Sequence, residues 1–201
     1  MDITSYLLGK KSSGGGGGSS EYFTETITKG SNTTVENLPG WAKTIKKLPR
    51  FTISGTSGAY MFQQYPNSTL DIGYLDVSGL TTMSNMFEKI QCTSINVSNW
   101  DVRNVKDMYC LFSNADVIEL DLSSWVTTSL TSMTSTFANC RSLTKLDIRN
   151  FIFDNVTSYK NTFINVPSSC LIIVKGDTEK EWITSKFTNL TNVKTVAELN
   201  E

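Results

Sequence analysis

The side chains able to do chemistry in this 201-residue chain are chiefly carboxylates and hydroxyls, because it contains no histidine. Ser–His and Cys–His nucleophile pairs, histidine-ligated metal sites and histidine pH switches are therefore excluded within it. The four cysteines, Cys92, Cys110, Cys140 and Cys170, form no Cys-x-x-Cys pair. That spacing argues against zinc and for reduced, mostly buried thiols. The remaining chemical pattern is a repeated acidic position. Asp71, Asn96, Asp121 and Asp147 recur every 25 or 26 residues. Two residues after them stand Gly73, Ser98, Ser123 and Arg149, and two residues before them Thr69, Ser94, Glu119 and Lys145.

Three chemistries are conceivable for such a column. Paired carboxylates such as Asp121 and Asp147 could hydrolyse a glycosidic bond, but only where a cleft holds one of them protonated. A calcium ion needs six to eight oxygens around one point, and nothing here has the spacing of a calcium loop. Small neutral side chains with a few charges suit hydrogen bonding to a sugar or a protein surface. The sequence therefore predicts a ligand-binding face of Asp71, Asn96, Ser98, Glu119, Asp121, Ser123, Lys145, Asp147 and Arg149. It predicts no catalytic residue, no metal and no cofactor. A structural alternative stands beside this reading: Asx side chains often bond the backbone two residues on, which would make the acidic column a turn device.

The elements that must carry this column follow from a repeat that begins at residue 70. Six apolar columns stay in register over four units. They are Leu70, Ile95, Leu120 and Leu146; Ile72, Val97, Leu122 and Ile148; Leu75, Trp100, Trp125 and Phe151; Leu80, Val105, Leu130 and Val156; Met83, Met108, Met133 and Tyr159; and Phe87, Phe112, Phe137 and Phe163. The first two columns alternate with polar residues, as in a half-buried strand. Leu80, Met83 and Phe87 fall at i, i+3 and i+7, which predicts a short helix with Thr81, Asp107, Thr131 and Thr157 near the helix starts as caps. Each unit then reads strand, turn, helix, and cannot bury its own apolar face without stacked neighbours. The aromatic columns become core ladders. A shortened unit is expected from Phe51-Thr52-Ile53, and a last strand at Leu171-Ile172-Ile173-Val174.

The net charge is −1 and charged residues are 18% of the chain, against 24 Ser and 26 Thr. A neutral balance argues against nucleic-acid binding by phosphate neutralisation. No apolar run approaches the roughly 20 residues of a membrane span. Lys10 and Lys11 follow the short apolar run Tyr6 to Leu8 instead of preceding a longer one, which does not read as a secretory signal.

Residues 1–11 read as an amphipathic docking peptide with Ile3, Tyr6, Leu7 and Leu8 as its apolar hook. Residues 12–20, with five consecutive glycines, read as a flexible linker. Residues 21–50 form a transition, with a strand expected within Tyr22 to Ile27. Residues 51–174 hold the repeats. Residues 175–201 are expected to close the open end. Thr178 and Glu181 sit at capping-box spacing, Trp182, Ile183 and Phe187 form the seal, and a strand is expected within Asn192 to Ala197.

The segments Leu120-Asp121-Leu122-Ser123-Ser124-Trp125, then Leu130, Met133 and Phe137, and Ile95-Asn96-Val97-Ser98-Asn99-Trp100, then Val105, Met108 and Phe112, carry a resemblance. They resemble the BspA-like leucine-rich repeats of bacterial surface proteins. That resemblance covers about residues 51–174. It implies an α/β leucine-rich-repeat solenoid with a parallel sheet, an adhesive or interaction role, and no catalytic residues. The leader is similar to that of small phage-encoded virion proteins from gut Gram-positive bacteria. This second resemblance implies docking to other virion proteins through residues 1–20, several copies per particle, and a repeat face turned to a bacterial surface glycan or protein. The location implied is the virion, and the alternative is a free cell-surface adhesin or interaction module.

Overall fold

The computed structural model describes residues 25–28, 51–73 and 75–200, with the backbone alone for the strands at 25–28 and 51–54. The expected docking peptide and linker lie outside the described residues. Eight short strands follow in order: β1 (Glu25–Thr28), β2 (Phe51–Ser54), β3 (Thr69–Asp71), β4 (Ser94–Asn96), β5 (Glu119–Asp121), β6 (Lys145–Asp147), β7 (Leu171–Val174) and β8 (Val193–Thr195). Helix α1 (Asp177–Lys186) separates β7 from β8. All strand pairs are parallel: β1 with β2, β3 with β4, and β5-β6-β7-β8 in one sheet.

The register follows the repeat. Leu70 pairs with Ile95, Leu120 with Leu146, and Leu146 with Ile172. Every member of the six apolar columns is buried except Ile95 and Tyr159, which are half-buried against the core. The chain is thus a parallel β-solenoid with little helix, one rung per repeat.

The helix expected in each unit is absent, and its place is taken by a second ladder. Ser57, Thr82, Asp107, Ser132 and Ser158 form single parallel bridges from rung to rung. Beyond each bridge, alternate N–H groups take different partners. Those of Met83, Asn85, Phe87 and Lys89 donate to the carbonyls of Asp107, Tyr109, Leu111 and Ser113 in the next rung. Those of Met86, Glu88 and Ile90 donate locally to Met83, Asn85 and Phe87, three residues back. The result is three overlapping turns stacked on the turns of the neighbouring rung.

Two residues per rung, four apart, have positive φ: Asn85 and Lys89, Cys110 and Asn114, Ser135 and Asn139, Asn161 and Asn165. No α-helix accommodates that conformation. The turns nonetheless bury Met83, Met86, Phe87 and Ile90 at i, i+3, i+4 and i+7, which is the spacing of a helix face. The apolar pattern is therefore shared by both structures. The Ser, Thr and Asn between the apolar positions favour local turns over helix, and the neighbouring rung supplies the other acceptors.

The threonines expected as caps act differently. The hydroxyls of Thr81, Thr131 and Thr157 donate to the carbonyls of Thr56, Lys106 and Thr131, one rung back. Asp107 Oδ1 accepts from the N–H of Tyr109. Amide side chains do the same work at Asn104, Asn150 and Asn155, which donate to the carbonyls of Ser78, Ser123 and Thr128. These hydroxyl and amide side chains thus form rung-to-rung bonds.

Two aromatic ladders run through the core. Phe62, Phe87, Phe112, Phe137 and Phe163 stack at centroid separations of 5.6, 5.0, 6.0 and 5.4 Å. Trp100, Trp125 and Phe151 stack at 5.9 and 6.5 Å. Both approach the spacing of parallel strands. At the C-terminal side, Trp182 stacks on Phe153 at 4.4 Å and Phe187 meets Phe163 edge-on at 4.9 Å. The capping pair of α1 is Gly176 with Glu179, not Thr178 with Glu181: the Glu179 carboxylate accepts from the Gly176 N–H at 3.1 Å.

Candidate functional site

Each member of the predicted face sits on a strand or on the turn that follows it. At Asn96, Asp121 and Asp147 the Asx carboxyl or amide first serves its own backbone. The N–H groups of Ser98, Ser123 and Arg149 donate to Asn96, Asp121 and Asp147 Oδ1 at 3.1, 2.9 and 3.2 Å. The column is thus a turn device. It also links rungs, since Asn96 Nδ2 donates to Asp71 Oδ1 at 3.0 Å. Gly73 explains its own identity here: a Cβ at that position would lie 2.8 Å from Asn96 Oδ1.

What remains for a ligand differs from rung to rung. Asn96, Ser98, Glu119, Asp121 and Lys145 are exposed, while Asp71, Ser123 and Arg149 are half-buried. Asp147 is the exception to the outward reading, being only 4% exposed. Arg149 closes over it, with Nε 2.9 Å from Oδ1 and Nη2 bonded to Oδ2. Asp147 therefore points at a guanidinium instead of solvent. Burial opposes ionisation of Asp121, but the side chain and N–H of Ser123, with the charges of Arg149 and Lys145, outweigh it and hold the carboxyl below its ordinary range. A carboxylate held ionised is suited to accepting hydrogen bonds, not to donating a proton as a general acid.

Ser98 also lines an open depression of about 380 Å³ with Asn99, Asp101, Arg103, Ser124 and Val126. Sequence reasoning missed this feature. Its Asp101–Arg103 pair repeats the Asx-turn arrangement one turn further on, with the Arg103 N–H, Nε and Nη2 all bonded to the carboxylate. Those bonds, the side chain of Arg103 first, bring Asp101 down to about 2. The signal available was the Asp-x-Arg spacing, which Asp147 and Arg149 share.

Among the described residues, no group of three His, Cys, Asp or Glu side chains is arranged to hold a metal ion. The described cysteines are unpaired thiols. Burial raises the thiols of Cys92 and Cys140 to about 12 and that of Cys170 to about 11. No helix of the described residues is long and apolar enough to cross a membrane.

Residues 56–172 match the family described as Mycoplasma protein of unknown function, DUF285. The chain belongs to this family. The DUF285 span runs from the residue before the first bridge, Ser57, to Ile172 in β7, so it coincides with the stacked rungs. DUF285 is associated with BspA-like repeat proteins, in agreement with the repeat motif. Comparison with curated proteins gave no match. Comparison with solved structures gave none either.

Proposed function

We propose that this DUF285 chain is a phage-particle protein that displays a repeat solenoid toward a bacterial surface. Residues 1–20 dock it to other virion proteins, with Ile3, Tyr6, Leu7 and Leu8 as the apolar hook and the glycine run as the tether. The strand face meets a surface glycan or protein. The observation that supports display is the contrast between the two sides of each rung. The apolar columns are closed inside the core, while Asn96, Ser98, Glu119, Asp121 and Lys145 stand exposed on three successive rungs, beside the depression at Ser98. A surface of this kind gives weak single contacts, which several copies on one particle would sum through avidity.

Deleting residues 1–20 tests this reading. The truncated chain should keep the circular dichroism spectrum and unfolding transition of the solenoid and should fail to enter particles. Incorporation at the full level without the leader would overturn it. The second reading, a free BspA-like adhesin or interaction module, is favoured by the family's association with such repeats, which owes nothing to the leader. In that case surface binding survives the deletion.

A further inference from the structure

We infer that the C-terminal end of the turn ladder is a docking edge for an acidic polypeptide segment of a partner. Each rung of the ladder bonds to the next through alternate backbone N–H groups. The N–H groups of Met133, Ser135, Phe137 and Asn139 donate to the carbonyls of Ser158, Lys160, Thr162 and Ile164. The corresponding donors of the last rung are Tyr159, Asn161, Phe163 and Asn165. Among the described residues, none of the four donates to a backbone carbonyl. Phe163 is fully buried, with its ring edge-on to that of Phe187. Asn161 is exposed, whereas its counterparts Asn85, Cys110 and Ser135 are buried or half-buried under the next rung; Asn165 is exposed, as Asn114 is in its column.

Tyr159, Asn161 and Asn165 line a cleft of about 600 Å³ between the last rung and the end of α1. Its two charged lining residues are both lysines, Lys160 and Lys186, and no carboxylate lines it. Neither lysine has a carboxylate partner among the described residues. The Lys186 ammonium rests 4.7 Å from the Trp182 ring and 5.6 Å from that of Tyr159, which places it at the cleft wall.

Donors without a carbonyl acceptor beside unneutralised cations call for oxygen-bearing anions. The choice of a polypeptide rests on the interface that every preceding rung displays. There the acceptors are carbonyls of alternate residues, and a partner chain laid along the edge brings the same spacing, as in strand addition. Acidic side chains complete the match to Lys160 and Lys186. This inference stands apart from the strand face and from the leader.

The test is a titration of the full ¹⁵N-labelled chain with end-blocked hexaglutamate at low salt, following backbone amide signals. The amides of Asn161 and Asn165 should shift saturably, while those of Asn114 and Asn139, already bonded to the next rung, should not. The double variant Lys160→Gln/Lys186→Gln should weaken the affinity by about tenfold or more. Lys145→Gln, on the strand face, should leave it unchanged. No shift, or a shift that survives the double variant, would overturn the inference. Equal binding of acetate at matched carboxylate concentration would reduce the site to simple anion binding. Equal binding of hexagalacturonate would remove the case for a polypeptide.

Discussion

Trp125 donates its indole N–H to the carbonyl of Val97 at 3.1 Å, across the step from β4 to β5 at which the strand ladder is interrupted. Trp100 makes the same bond one rung earlier, to Ile72 at 2.8 Å. The indoles lie 5.9 Å apart and within 5° of parallel. The tryptophan column therefore does two things at once. It fills the core, and it supplies a hydrogen bond between rungs, which at Trp125 crosses the step where strand pairing is interrupted.

Trp125→Phe should separate those roles. Phe151 occupies the same column in the next rung, so the ring fits. Loss of the indole N–H leaves the Val97 carbonyl with the Trp100 N–H alone, at 3.3 Å, and should cost about 1 kcal/mol. Trp125→Ala also opens a cavity and should cost about 3–5 kcal/mol. Urea unfolding measures both. A phenylalanine variant as stable as the parent would show that the bond contributes nothing.

Asn114 distinguishes stacked turns from a helix. Its φ is +58° and its side chain is exposed. Asn114→Ala should destabilise by about 1 kcal/mol, because a Cβ in the left-handed region is strained without the local bonding that Asn provides. Asn114→Gly should be neutral within a few tenths of a kcal/mol. In a helix the order would reverse, with alanine the better residue.

That contrast marks where the sequence was legible. The register of Leu70, Ile95, Leu120 and Leu146 could be read directly, because one apolar residue per rung must fall on the same face. The strands at Phe51 and Leu171 followed from the same spacing. The turns could not be told from a helix by Met83 and Phe87, since both structures bury i, i+3 and i+7. The distinguishing signal was polar: Asn114, Asn139 and Asn165 recur at one column, where a helix gains nothing from asparagine and a left-handed turn does. The predicted face was legible as a column but not as a surface. The spacing of Asp147 and Arg149 did not reveal that the guanidinium would fold back over the carboxylate.

Gly73 and Asn96 should behave as a coupled pair. Gly73→Ala should cost about 1–2 kcal/mol by displacing the Asn96 amide from its bonds to Asp71 and to the Ser98 N–H. In an Asn96→Ala background the same change should cost less, and a double-mutant cycle measures the difference. Strictly additive costs would show that the close approach does not matter.

The thiols predict both a reactivity order and an alkaline limb. Cys110 is half-buried and the other three are buried. Iodoacetamide at pH 8 followed by peptide mass spectrometry should find Cys110 modified first, with Cys92, Cys140 and Cys170 protected until unfolding. Burial raises the folded thiols of Cys92 and Cys140 from 9.0 to about 12. A raised folded pKa favours the fold below the unfolded value, so this contribution is present below about pH 9 and lost as pH rises toward 12. Cys92→Ala should flatten that limb. Early modification of Cys140 would contradict the burial.

The central functional claim is membership of a phage particle, and mass spectrometry of gradient-purified particles from the source culture tests it most directly. The account predicts peptides of this chain co-sedimenting with the capsid protein at a fixed ratio above one copy per particle. Its absence from particles, with the chain recovered from cells or medium, would contradict the virion role and leave a free interaction module.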